Sequence, residues 1–312
     1  MLSLQFRAMG CQMLALLDAE TPDARDVLAQ VPAWFEAWET SLSRFRADSE
    51  LMSLNAMHDA PVPVSDTLWE VLNVALVAER DSQGLVTPLV LDSLETAGYT
   101  MSFEWLQDHA ASVNLRPNVS AQPVRLTLAE AVRFDPIGRT VTLAPGARLD
   151  LGGVAKGWAA ETAARRLSVA GSALVDAGGD IAVSGPRADG TAWSVAIADP
   201  QLQGADLGQL QLSQGGVATS GRDYRRWQID GQWRHHLIDP RTGEPATTDV
   251  LSATVVGPSL RQAETAAKTA FMLGSDAAAS WLTERPELRG LLVLDDGRMV
   301  AAPHAAWFQV TT

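Results

Sequence analysis

Apolar and polar positions change their period along the chain, and each change marks a different element. Residues Leu4–Leu17 read as extended structure, a hairpin broken at Met9-Gly10. Thr21-Pro22 reads as a helix start, with Thr21 as N-cap and Pro22 at the first helical position. The helical pattern then runs to about Phe45, with a kink or division at Pro32. Ser65 is placed to cap the next helix. Its stripe is Leu68, Val71, Leu72, Ala75 and Leu76, with Glu79 at the polar edge and Gly84 closing it. Thr87-Pro88 opens a short helix ending at Gly98, and Tyr99–Val132 shows no single period. Val141–Leu149 reads as a strand, followed by a glycine-rich loop and a helix from near Trp158 to about Val169.

Beyond that helix the period shortens. Ala173–Val175, Trp193–Ala198, Leu207–Leu212, Trp227–Ile229, Trp233–Ile238 and Leu251–Val256 are strand-like, and Asp230-Gly231 is a two-residue hairpin signal. Helices over Leu260–Leu273, ended by Gly274, and over Ala277–Arg285 follow. Leu291–Leu294 with Asp296-Gly297 closes the chain in a hairpin. The mixture predicts an α+β fold, mostly antiparallel sheets with packed helices, because a doubly wound sheet needs more regular alternation of strand and helix. With no repeat, low-complexity tract or flexible linker, 1–312 reads as a single domain.

The net charge of −13 argues against nucleic acid as the main partner, since a phosphate backbone needs a basic footprint. An anionic ligand would then need local devices: helix ends, a few basic side chains or a metal. Cys11 is the lone cysteine, which excludes an intramolecular disulfide. No apolar run reaches the length of a membrane span, and Met1–Arg7 lacks the basic-then-apolar pattern of an export signal, so a cytoplasmic protein is expected.

Five segments carry chemistry. Asp150-Leu151-Gly152-Gly153-Val154-Ala155-Lys156-Gly157 sets a carboxylate, a glycine pair and a lysine before a helix. That is a place where backbone N–H groups and the helix dipole suit a phosphate. Asp176-Ala177-Gly178-Gly179-Asp180 follows a strand and can bring backbone against a ligand or simply turn between strands. Ala218-Thr219-Ser220-Gly221-Arg222 leads into Arg225 and Arg226, concentrating positive charge in an acidic chain. In His235–Pro245, an imidazole near a carboxylate can act as general base. Strand alternation puts His235 and His236 on opposite faces, with His235 expected at the surface. In Ala263–Ala270, Glu264 and Lys268 stand one helical turn apart in an alanine-rich setting that implies close packing.

In order, these segments resemble the ApbE-type FAD:protein FMN transferase family. Met9-Gly10, Ser43-Arg44-Phe45 with Ser49-Glu50-Leu51 and Leu54-Asn55, Asp150–Gly157, Gly178–Asp180, Ala218–Gly221 and His236–Gly243 are each similar to a motif of that family. The resemblance implies an ApbE-like fold and a reaction. FMN passes from FAD to a threonine of an acceptor flavoprotein, AMP leaves, and Mg2+ assists. It implies that Met9, Asp150, Lys156, Ser220 and Gly221 line the FAD site, and Gly178, Gly179, Arg222 and His236 are further candidates to bind FAD. His236 would be the base and Asp239 would orient the loop or the ligand. Gly153, through its carbonyl, and Glu264 would meet the metal.

One motif departs from the family. Where an Asp and a Thr hold the metal in the family pattern, this chain has Glu264 and Lys268. A protonated lysine repels Mg2+, so the Lys268 ammonium is expected to pair with Glu264 in place of the ion and to contact the FAD phosphates. Hydrolysis of FAD to FMN and AMP, and FAD binding without catalysis, are the two competing readings.

Overall fold

A computed structural model describes residues 1–19, 21–109, 122–229, 231–303 and 309–310. These fold as two compact units. The first is built from Met1–Phe35, Lys156–Tyr224 and Thr248–Thr312, and the second from Glu36–Ala155 and Arg225–Thr247.

The first unit is organised by an eight-stranded sheet, antiparallel at every pairing. Its order is Leu2–Ala8, Cys11–Asp18, Ser172–Ala177, Ile181–Val183, Gly215–Gly221, Val250–Gly257, Arg289–Leu294, Met299–Ala302. The opening hairpin pairs Ala8 with Cys11 across a two-residue loop, Met9-Gly10, and both loop residues have positive φ (47° and 67°). That is the loop geometry whose twist matches paired strands. Glycine adopts it freely; methionine does so at a conformational cost, which marks Met9 as a constrained position.

The helix Leu260–Leu273 lies against strands Gly215–Gly221 and Val250–Gly257. Ser259 caps it by accepting the Gln262 N–H, and its buried face includes Ala263, Ala266, Ala267 and Ala270, small residues that let the helix approach the sheet closely. Trp193, Val195, Ile197, Leu210, Leu212 and Leu174 form an apolar cluster between this sheet and the three-stranded sheet of Gln309–Val310, Asp206–Leu212 and Trp193–Ala198.

The second unit holds the helix Asp66–Asp81, capped by Ser65 through the Leu68 N–H, and a small sheet of Val62–Pro63, Thr140–Leu143 and Val132–Asp135. Leu68, Val71, Leu72 and Ala75 are fully buried, as the stripe predicts, and the Glu79 carboxylate accepts the Leu128 N–H at 2.7 Å. A second cluster joins Leu94, Tyr99, Phe103, Trp227 and Ile238.

Several elements differ from the sequence expectation. The first helix is Ala24–Ala29 with Asp23 at its N-cap position, and the Thr21-Pro22 pair forms a turn before it. The division falls at Gln30, so Pro32 sits in the first turn of a second helix, Val31–Leu42, where its missing N–H costs no internal bond. That helix stops short of Phe45. The short helix after Thr87-Pro88 begins only at Leu91, because Thr87 bonds the Leu89 N–H locally. The strand expected over Val141–Leu149 ends at Leu143, where the chain turns through Pro145-Gly146. The run Trp233–Ile238 splits into Gln232–His235 and Ile238–Asp239. Strands Arg226–Ile229 and Gln232–His235 pair as the hairpin signal predicts, with Gly231 at φ 77°; Asp230 lies outside the described residues.

Candidate functional site: a buried lysine–carboxylate network

The helix Ala155–Leu167 begins one residue after the Gly152-Gly153 pair. In the turn before it, Asp150 accepts the Gly152 N–H at 2.8 Å, and its other oxygen meets Arg44 Nε at 2.5 Å. Arg44 is itself anchored: it donates to the Tyr99 carbonyl at 2.7 Å and lies over the rings of Phe45 and Tyr99. Asn55 clamps the approach by exchanging two hydrogen bonds with the backbone of Leu149, at 2.9 and 2.8 Å. Asp150 therefore shapes the turn that holds Gly152 and Gly153 through its own hydrogen bonds.

Within the first unit the helix continues with Lys156, whose ammonium pairs with Asp180. Asp180 follows the Gly178-Gly179 turn between two strands of the large sheet, and its side chain is 5% exposed. Both glycines have positive φ (70° and 96°), and a Cβ on Gly178 would stand 2.8 Å from Cys11 Sγ, so the turn admits no larger residue at that point. Asp176 at the start of the turn accepts the Gly179 N–H at 2.7 Å. Burial pushes the Asp176 carboxyl above the usual range against that hydrogen bond, and the nearby Asp180 charge adds to the push.

Glu264 completes the network from the neighbouring helix Leu260–Leu273. It is 1% exposed; one oxygen accepts the Gly157 N–H at 3.1 Å and the other the Lys268 ammonium at 3.0 Å. Burial pushes its carboxyl up, the Lys268 charge opposes the push, Asp180 adds to it, and Lys156 opposes it. Glu264 thus caps the N-terminus of the helix Ala155–Leu167, where the dipole favours negative charge. The Gly157 N–H at this helix start is therefore taken by protein.

A Cβ at position 157 would lie 2.3 Å from the Glu264 oxygen, so Gly157→Ala must displace the carboxylate and break its bond to the helix. That substitution is expected to lower unfolding free energy by about 1–3 kcal/mol, the cost of a buried polar group losing its partner, read as a fall in the thermal midpoint.

Ser220 is buried on the strand Gly215–Gly221 opposite Ala253, and Gly221 pairs with Ser252. Arg222 donates to the Thr248 carbonyl at 3.2 Å and pairs with Asp295, so its charge is balanced by a protein carboxylate. Arg222 belongs to the first unit, and Arg225 and Arg226 belong to the second.

In the second unit His236 Nδ1 lies 3.3 Å from the Arg225 carbonyl. A carbonyl only accepts, so Nδ1 carries a proton, and in the neutral ring Nε2 is the basic nitrogen. Asp239 accepts from the Arg241 backbone and guanidinium at 2.8–3.1 Å, and its carbonyl accepts the Thr242 and Gly243 N–H groups. It orders the Asp-Pro-Arg-Thr-Gly loop. His235 is buried, not at the surface as expected. Its Nε2 donates to the Ala246 carbonyl at 3.0 Å and its Nδ1 accepts the Leu237 N–H, because the strand ends there and the ring folds inward to hold the loop.

The donor set around Glu264 does not fit a resident Mg2+. That ion demands oxygen ligands in octahedral array at about 2.0–2.1 Å, whereas an ammonium occupies the Glu264 carboxylate. Among the described residues no three His, Cys, Asp or Glu gather as a metal cluster. The pairings Lys156–Asp180, Glu264–Gly157 and Arg44–Asp150 were absent from the sequence reading. Only the residue types, each inside a recognised motif, pointed to them.

Solved structures share this architecture. An ApbE protein of Thermotoga maritima superposes with a TM-score of 0.80 at 23% identity over 97% of both chains. The flavinyl transferase ApbE of Pseudomonas stutzeri superposes at 0.76 and 22%, over 96% of this chain and 94% of that one. The fold is therefore that of the ApbE proteins. The model of the ApbE family matches residues 9–292, and the chain belongs to that family. It is 30% identical over 305 residues to the FAD:protein FMN transferase of Treponema pallidum, covering 94% of this chain and 83% of that protein. It is 25% identical over 290 residues to that of Salmonella typhimurium, covering 91% and 81%.

Proposed function

We propose that this protein transfers FMN from FAD to a threonine hydroxyl of an acceptor flavoprotein and releases AMP. The observation that carries the reading is the match, over most of both chains, to relatives named FAD:protein FMN transferase. In the proposed reaction a bond forms between the threonine oxygen and the FMN phosphorus, and the bond from that phosphorus to the AMP oxygen breaks. His236, with Nδ1 committed to a carbonyl, takes the threonine proton at Nε2. Asp239 keeps the loop after His236 in one conformation. Lys156, held by Asp180 at the glycine turn, supplies positive charge to the diphosphate. Met9, Gly178, Gly179, Ser220, Gly221 and Arg222 are proposed to line the flavin dinucleotide. No helix among the described residues is long and apolar enough to cross a membrane; cytoplasmic location is part of this proposal.

Incubation with FAD and a candidate acceptor domain, followed by denaturing electrophoresis, tests the reading. Flavin fluorescence should remain on the acceptor, and His236→Ala should slow its appearance by about 10²–10⁴-fold, the usual worth of a general base. Free FMN with an unlabelled acceptor would instead assign hydrolysis.

A further inference from the structure

The Glu264 carboxylate is almost wholly removed from water, at 1% exposure, and the Lys268 side chain beside it is 14% exposed. A buried carboxylate needs a compensating cation. A divalent ion and an ammonium are two chemical ways to provide one, and each takes the carboxylate oxygen that the other would need. Lys268 rises from the next turn of the same helix, so its ammonium reaches Glu264 Oε1 without any change of backbone. The other oxygen is engaged by the Gly157 N–H, one residue beyond Lys156.

Glu264 feels the charges of Lys156 and Asp180 as well as that of Lys268, so the two lysine–carboxylate pairs form one electrostatic unit. Among the described residues Glu264 is the one hydrogen-bonded partner of the Lys268 ammonium. An ammonium has three donors and no acceptor, which leaves two N–H groups for oxygens of an anionic ligand.

We propose that Lys268 is a built-in cation: it neutralises Glu264, excludes a divalent ion from that carboxylate, and donates to the phosphate oxygens of the bound dinucleotide, so that binding needs no metal. The phosphate contact rests on the flavin-transferase reading; the exclusion of metal does not.

The test uses the full chain with Mn2+ as the metal probe, followed by electron paramagnetic resonance, and FAD affinity from flavin fluorescence with either EDTA or excess Mg2+. The wild type should show no stoichiometric Mn2+ site and the same FAD affinity in both solutions. Lys268→Thr, which removes the ammonium and adds a hydroxyl oxygen, should gain Mn2+ affinity by about tenfold or more, a change of the size seen when a metal ligand's surroundings are altered. Its FAD affinity should become Mg2+-dependent. Lys268→Arg keeps the charge and should stay metal-free.

A stoichiometric Mn2+ site in the wild type that is lost in Glu264→Gln overturns the proposal, and so does a wild-type FAD affinity that collapses in EDTA. Both outcomes need only a folded wild type. Absence of FAD binding in every solution counts against the flavin-transferase reading and the phosphate contact, while the Mn2+ result still decides whether the carboxylate excludes metal.

Discussion

Lys156→Ala is expected to lower unfolding free energy by about 3 kcal/mol and to abolish measurable FAD binding. The stability loss follows from geometry: Asp180 is 5% exposed and pairs with the Lys156 ammonium, while Asp176 and Glu264 both feel these charges. Removing one of two lysines leaves three carboxylates in a desolvated place with one ammonium. Part of the penalty will be relieved by protonation, because buried carboxyls neutralise when they cannot be paired. The double variant Lys156→Met/Asp180→Leu separates stability from binding. Replacing both partners of a buried pair by apolar groups is often neutral, so the thermal midpoint should recover while FAD binding does not. Recovery of both would assign the pair a purely structural role.

Arg44→Ala is expected to cost the second unit about 3–5 kcal/mol, the loss typical of a broken buried ion pair. The side chains of Arg44 and Asp150 are 5% and 11% exposed. The alanine variant loses the ion pair, the bond to the Tyr99 carbonyl and the stacking on two aromatic rings together. Arg44→Lys should recover only part of the loss, because a lysine ammonium cannot reproduce the planar fork that meets a carboxylate, a carbonyl and two rings at once. Urea unfolding followed by tryptophan fluorescence reports this directly, since Trp227 stacks on Tyr99 at 5.1 Å. Equal stability of the alanine and lysine variants would contradict the account of Asp150 as a residue held in place by Arg44.

Much of the fold was legible because local physics decides local elements. The helical pattern and the Gly274 boundary located Leu260–Leu273, and Met9-Gly10 marked the opening hairpin. Where the reading missed, a local competitor intervened. Thr87 bonds a nearby N–H instead of opening a helix, and Gln30 rather than Pro32 divides the early helical run. At the site, the residue types were visible but their pairings were not. Gly157 meets Glu264 across 107 positions and Lys156 meets Asp180 across 24; no periodicity encodes such contacts, which arise when the sheet order brings separate turns together. His235 was misjudged for the same reason. Alternation told that it opposes His236 but not which side the loop would cover.

The most direct check of the central claim is the fate of the FAD phosphates when a candidate acceptor domain is present. Tandem mass spectrometry of the acceptor, with AMP measured in the same mixture, should find FMN in phosphoester linkage to one threonine and one AMP for each modified chain. An acceptor left unmodified while AMP and free FMN accumulate in equal amounts would contradict it.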